Sequence, residues 1–522
     1  RVMMCGLLAI GVATGTDYYL DCDAGNDANS GTSPAQAWRT LQRANQIILQ
    51  AGDQLLLKAG CRFQGQLKPQ GRGAPGRPVR VASYGEGPKP RIDGEGVMPA
   101  ALYLRNVEYL EVEDLDVTNQ GPTREPGRAG VMVHLVDFGT ARHIVLRRLD
   151  VHDVNGSLVK KQGAGYGIYW RNEGTNRKSR FDGLLIENCH LWRCERNGIL
   201  GSSAYWRRTD WFPSLNVVIR GNLLEQIPGD GIVPYGCDGA LVEYNVMRDC
   251  TRLLPDGDAA AGIWPWSCDN TVIQFNEVSG HKAPWDAQGF DADWNCRNTL
   301  IQYNYSHDNE GGFLLVCTNG AIGEPVNVGN IGTVVRYNVS INDGLRVTGK
   351  HAGFSPTFHI SGPVRDTKIY NNVIFIPRKP PGPADRTLLK MDNWGGPWPE
   401  NTWFANNIFY TEEWTSYDYG QAIQTVFENN LYWGEHREAP PDPSAIREDP
   451  LFLRPGLPTA GIQAPLGLRL RTGSPCIGRG LRIQEDGGRD FLGRPLPRSR
   501  PPSIGAFEWL EQTVRATAVT RK

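Results

Sequence analysis

A chain of 522 residues with 55 Lys and Arg against 56 Asp and Glu carries a formal net charge of -1. Such a balance provides no general field for nucleic acid or an anionic lipid surface. Its 61 glycines and 9% aromatic content describe many turns and a surface able to stack on flat ligands. Length alone suggests about three ordinary domains, unless a repeat lets one core grow by stacking.

Residues 1–15 have a basic start, a short apolar run and small residues at Ala13 and Gly15. That is the pattern of a secretory signal remnant, too short to span a bilayer. Cys5 follows Val-Met-Met, a poor lipobox. The expected location is secreted, periplasmic or at the cell surface, with no membrane span. Residues 36–51 carry apolar spacing of helical period and stop at Gly52. They predict a helix that caps an open N-terminal strand edge.

From there one pattern recurs: two or three apolar residues, a variable residue, Asn, then another apolar strand. It places Asn188, Asn222, Asn245, Asn276, Asn304, Asn338, Asn372, Asn407 and Asn430 at equivalent corners, with weaker copies at Asp114 and Arg148. The corners are separated by 23 to 35 residues. Short alternating strands with Asn corners exclude a helical solenoid, which needs apolar spacing near 3.6, and a propeller, which needs longer, more regular blades. Asn tolerates a left-handed corner, and stacked Asn side chains can hydrogen-bond along a coil. The predicted fold is all-β: a right-handed parallel β-helix of about ten or more coils over residues 16–440. A C-terminal cap or appended strand unit takes residues 441–522, where the Asn pattern gives way to Pro and Arg. Asn304 and Asn338 match the glycosylation acceptor pattern but belong to the buried ladder.

Cys237, Cys268 and Cys296 precede the same strand pattern and are expected to stack inside as small apolar residues. Cys189 and Cys194 are a candidate disulfide. Aligned on these cysteines and Cys317, the residues two and four places earlier are apolar: Tyr235, Trp266, Trp294 and Leu315, then Val233, Trp264, Ala292 and Phe313. This predicts that they face inward. Asp291 and Asp293 then lie side by side on the outer face.

The opening, Tyr-Tyr-Leu-Asp21 through Gly-Thr-Ser-Pro34 to Ala-Gly-Asp53, and the ending, Gly-Ser-Pro475 through Asp490-Phe-Leu-Gly to Ile-Gly-Ala-Phe-Glu508, resemble secreted β-helix proteins of the pectin-lyase-like superfamily. The resemblance implies a carbohydrate-active protein. It does not choose among hydrolase, lyase and epimerase, because function lives in the site.

Residues 230–310 hold the densest set of ionisable groups. Asp291 and Asp293, with Asp230, Asp286 or Glu310 as a third carboxylate, supply the acid and the base or nucleophile of glycoside hydrolysis. Their mutual repulsion would keep one protonated near neutrality. Trp264, Trp266, Trp285 and Trp294, with His281, Lys282 and His307, are candidate substrate contacts, the aromatics by stacking on sugar rings. Asp256 and Asp258, in Pro-Asp-Gly-Asp, read first as turn formers. His351 and His359 could reach the same groove.

The leading expectation is thus an exported glycoside hydrolase, monomeric and needing no cofactor. An alternative is a polysaccharide lyase or uronate epimerase, with Asp291 and Asp293 holding Ca²⁺ and a His or Lys as base. A non-catalytic glycan-binding β-helix is a third reading.

Overall fold

The computed structural model describes residues 15–319, 327–456 and 458–509. Residues 1–14 of the expected signal remnant and residues 510–522 lie outside the described part. Every pairing between named strands is parallel, and three sheets wind around one core. The first includes Gln54–Lys58, Thr140–Arg147, Val272–Gln274 and Glu400–Ala405. The second includes Arg62–Gln64, Asp150–Asn155, Tyr305–His307 and Leu431–His436. The third includes Ala100–Arg105, Tyr166–Glu173, Phe290–Ala292 and Thr387–Asp392. This is the expected right-handed parallel β-helix.

The corner between the first and second sheets explains the Asn repeat. Asn222 donates its backbone N–H and its side-chain amide to Asn245 Oδ1, at 3.0 and 2.9 Å. Asn245, Asn276, Asn304, Asn338, Asn372 and Asn407 each repeat this to the next Asn, ending at Asn430. Each amide also donates to a core carbonyl, as Asn304 does to Ile273. Two details differ from expectation. The left-handed residue is the one before the ladder Asn, even where it is Tyr244, Phe275, Tyr303 or Tyr337. The Asn holds that corner by hydrogen bonds rather than adopting it. Asn188 is itself left-handed, so the ladder place on its coil falls to Cys189, whose N–H donates to Asn222 Oδ1 at 2.9 Å. At the far end Asp442 accepts from the N–H and the amide of Asn430 at 2.9 and 3.0 Å. Asn304 and Asn338 are fully buried.

Cys237, Cys268 and Cys296 are buried in the main core as expected. Cys189 and Cys194 are not a disulfide: both are free and buried, with Sγ atoms donating to Leu146 and Val151 carbonyls. A disulfide instead joins Cys22 to Cys61. The helix expected over residues 36–51 contracts to one turn, Leu41–Ala44. Trp38 bridges to Leu20, and Ile48–Leu49 pairs with Gln70–Gly71, so strand contacts override the helical spacing. Beyond residue 440 the chain runs back along the second sheet. Phe452, Leu468, Ile504 and Phe507 pack on Tyr305, Val339, Phe375 and Ile408.

Candidate active site

The site sits on the outer face of the third sheet. Leu102, Val131, Ile168, Ile199, Ile232, Ile263, Phe290, Leu314 and Phe358 form its inner column, all fully buried. Side chains alternate along a strand, so the residue after each faces outward. The outward row therefore includes Tyr169, Leu200, Val233, Trp264, Asp291, Leu315 and His359. Two residues further along lie Tyr235, Trp266, Asp293 and Cys317.

This overturns the inward placement of Val233, Tyr235, Trp264 and Trp266. Ile263 stands five residues before Cys268, whereas Phe290 stands six before Cys296. Alignment on the cysteines slips the strand by one residue, which exchanges its faces. Trp264 and Val233 belong to a cluster outside the main core, and Trp266 packs against it. Leu315 also faces out. Ala292 and Phe313 do face inward.

Asp291, on the strand Phe290–Ala292, and Asp293, directly after its end, share its outer side, as the alternation implies. A carboxylate oxygen of each and the Sγ of Cys317 lie within 4.8 Å of one another. Asp291 is only 3% exposed, and its Oδ1 has no hydrogen-bond partner. Burial, then the charges of Asp293 and Asp286, drive its carboxyl well above the usual range. Asp293 is partly exposed, and its Oδ1 accepts from the Cys317 thiol at 3.0 Å and the Trp294 N–H at 2.6 Å. Burial raises its carboxyl despite those bonds. Asp286 enters from the preceding loop, where Ala260 pairs with it. Arg346, 1% exposed, staples that loop through the carbonyls of Ala283 and Asp286 at 3.2 and 2.7 Å. Burial pushes the Asp286 carboxyl up to about 6; Lys160 opposes this and the charge of Asp293 adds to it.

Asp230 behaves differently. It is fully buried and accepts from Arg196 at 2.7 Å, the Ala261 N–H at 3.1 Å and Trp264 Nε1 at 3.2 Å. Lys160 Nζ lies 3.6 Å away. Burial raises its carboxyl, but Lys160, Arg196 and the Ala261 N–H outweigh this and hold it low. Asp230 is thus an anchored anion that orients Trp264. Beside it a cavity of about 250 Å³ is lined by Lys160, Tyr166, Tyr169, Tyr235, Trp264 and Trp266. Trp266 stacks on Trp294 at 5.2 Å and on Tyr235 at 6.1 Å, extending an aromatic wall toward the aspartates.

The other candidates fall outside this cluster. Glu310 is ion-paired with Arg252. His281 is buried against the Gly229 carbonyl, and burial lowers its imidazole to about 4, so it presents no surface to a sugar. Lys282 is exposed and makes no ion pair among the described residues. His307 lies on the second sheet, bonded to Asp308 and Glu277 at 2.9 and 3.2 Å. Trp285 packs edge-on against His351. Asp256 and Asp258 do form a turn, and Asp258 also meets Arg196 at 3.2 Å. His359 lies two strands from Asp291 and is bonded to Asp392 at 2.9 Å. Sequence reasoning missed Lys160, Arg196, Cys317 and Arg346. Only Cys317 had a signal, its place in the strand after Asp293.

The family described as right handed beta helix region matches residues 161–352. A lacto-N-biosidase of Bifidobacterium longum subsp. longum is 27% identical over 585 aligned positions, which cover 92% of this chain and 34% of that protein. The chain thus spans about a third of the length of that relative. An alpha-1,3-galactosidase A of Akkermansia muciniphila is 36% identical over 64 residues, 12% of this chain and 11% of its own length. Among solved structures, the GH136 lacto-N-biosidase of Eubacterium ramulus superposes with a TM-score of 0.59 and 26% identity, covering 80% of this chain and 68% of that one. XylC with xylose, at 11% identity and a TM-score of 0.51 over 95% and 99% of the two chains, shares the fold. This chain is a right-handed parallel β-helix, similar over most of its length to glycoside hydrolases.

Proposed function

We propose that the chain hydrolyses a glycosidic bond with Asp286 and Asp293, supported by Asp291. The observation that carries this reading is a trio of neighbouring carboxyls, all held above their ordinary pKa beside an aromatic wall. Asp286 makes no side-chain hydrogen bond among the described residues, so its proton is free to reach a leaving-group oxygen. That suits a general acid. Asp293 keeps one oxygen fixed by Cys317 and Trp294, which suits the carboxylate that acts as nucleophile or base. Asp291 lies deepest, and its burial with the charges of Asp293 and Asp286 favours its protonated form. The Trp264 and Trp266 rings offer stacking faces for the sugar.

The relatives make a lacto-N-bioside the first substrate to test. A lyase or epimerase needs a base, and the environments of His281 and His307 argue against either in that role. The Cys22–Cys61 disulfide supports an exported protein. No described helix is long and apolar enough to cross a membrane.

The test is a screen of purified protein against chromogenic lacto-N-biosides and against neutral and uronic-acid polysaccharides, with and without EDTA. Release of sugar that is insensitive to EDTA and falls at least about 10²-fold in Asp286→Asn and Asp293→Asn supports the reading. An unsaturated product absorbing in the ultraviolet, abolished by EDTA, overturns it.

A further inference from the structure

We propose that Asp291, Asp293 and Cys317 form a binding site for a thiophilic divalent cation such as Zn²⁺, and that its occupation blocks the carboxylates. The block rests on the hydrolase reading; the site does not. Its three donor atoms lie within 4.8 Å of one another. Asp291 and Cys317 stand on paired strands, Phe290–Ala292 against Leu314–Cys317, with Phe358–Ser361 behind, and Asp293 follows directly after the first. Donors on a sheet are held more firmly than donors on loops.

An acidic cluster alone implies no ligand. Here Oδ1 of Asp291 is buried with no hydrogen-bond partner, on a side chain that is nearly inaccessible. An orphaned buried carboxylate oxygen is costly, and a cation is one group that satisfies it. The donor set selects the cation. One thiol and two carboxylates provide three ligands and leave a fourth position open, as Zn²⁺ and Co²⁺ accept. Ca²⁺ asks for six to eight oxygens, which sulfur does not supply. Binding replaces the thiol proton and any proton shared by the aspartates, so affinity rises with pH. Asp293, partly exposed beside the groove, marks the way in. The other cluster of metal-ligand type among the described residues, around Asp21 and Asp23, has both sulfurs tied up in the Cys22–Cys61 disulfide.

Titrating the full chain with Co²⁺ tests the site without reference to activity. A sulfur-to-cobalt charge-transfer band is expected. It should vanish in Cys317→Ser and shift to at least tenfold higher cobalt in Asp291→Asn and Asp293→Asn, with Zn²⁺ competing. No band in the folded wild type, or a band that survives Cys317→Ser, overturns the site. Should Cys317→Ser not fold, X-ray absorption of the zinc-loaded wild type decides. One sulfur near about 2.3 Å with oxygens near about 2.0 Å supports the site, and an all-oxygen shell overturns it. Zinc binding that leaves hydrolysis intact overturns the block. Absence of hydrolysis in metal-free protein overturns the proposed function and leaves the cobalt titration standing.

Discussion

Removing the guanidinium of Arg196 should destabilise the protein and loosen the site together. Arg196 and Asp230 are both fully buried, 2.7 Å apart. Arg196 also donates to the Asn197 side chain at 3.0 Å and the Ala259 carbonyl at 2.6 Å. Arg196→Met leaves the Asp230 carboxylate in the interior with two donors and Lys160 at 3.6 Å. Breaking a buried pair from one side costs about 3–5 kcal/mol; Lys160, whose side chain is 43% exposed, puts this case near the lower end. Asp230→Asn keeps an oxygen for Ala261 and Trp264, and Arg196 keeps Asp258 at 3.2 Å, so it should cost about 2 kcal/mol. With both changes no unpaired charge remains on Asp230, and the double variant should be more stable than the sum of the singles by at least about 1 kcal/mol. Urea unfolding of all four proteins measures the cycle. Additive losses, or an Arg196→Met loss under about 1 kcal/mol, would refute the buried-pair reasoning.

Other expectations follow from the same geometry. Asp286 titrates at about 6 in the folded chain, above its unfolded value, so its contribution to stability is full below about pH 4 and is lost as pH rises through about 6. Asp286→Asn should therefore raise the melting temperature at pH 7.5 and not at pH 4, while abolishing hydrolysis. In the wild type, a general acid with this pKa makes kcat fall on the alkaline side of about pH 6. His307 is raised to about 9: burial lowers it, but Asp308 and Glu277 overcome this. Its stabilisation is present below about 6.5 and lost as pH rises through about 9. Because Glu277 also accepts the Gly461 N–H at 2.9 Å, proteolysis after residue 455 should quicken above that pH, less so in His307→Gln. Asn304→Ala orphans the Asn276 N–H and removes one partner each from the Asn276 amide, the Ile273 carbonyl and Asn338 Oδ1, and should cost about 3–5 kcal/mol by urea unfolding.

The coil was legible because its corner repeats a chemical group, and a repeated Asn in a short apolar strand has few other uses. Register was harder. Tyr and Asn stand together at Tyr244-Asn245, and nothing local says which of them takes the left-handed conformation; the stacked hydrogen bonds decide. The same ambiguity put Trp264 and Trp266 inside, because the cysteines keep their place while the strand before them gains a residue. Asp291 and Asp293 were found because a strand alternates regardless of register error elsewhere. Lys160 and Arg196 could not be found, since their approach to Asp230 bridges 70 and 34 residues through loops and a neighbouring coil. Pairing of Cys22 with Cys61 is likewise a property of two coils meeting.

The Asn ladder also frees the rest of each coil to change. Between successive ladder residues the chain takes anything from 23 to 35 residues, yet the amide contacts stay between 2.9 and 3.0 Å. Each coil returns to the same hinge whatever excursion it has made. Segments on the groove side can therefore lengthen, shorten or exchange side chains, as the loop carrying Asp286 does, without disturbing the column. A scaffold of this kind separates inheritance of shape from choice of sugar: one edge is held constant while the opposite wall is rewritten, coil by coil.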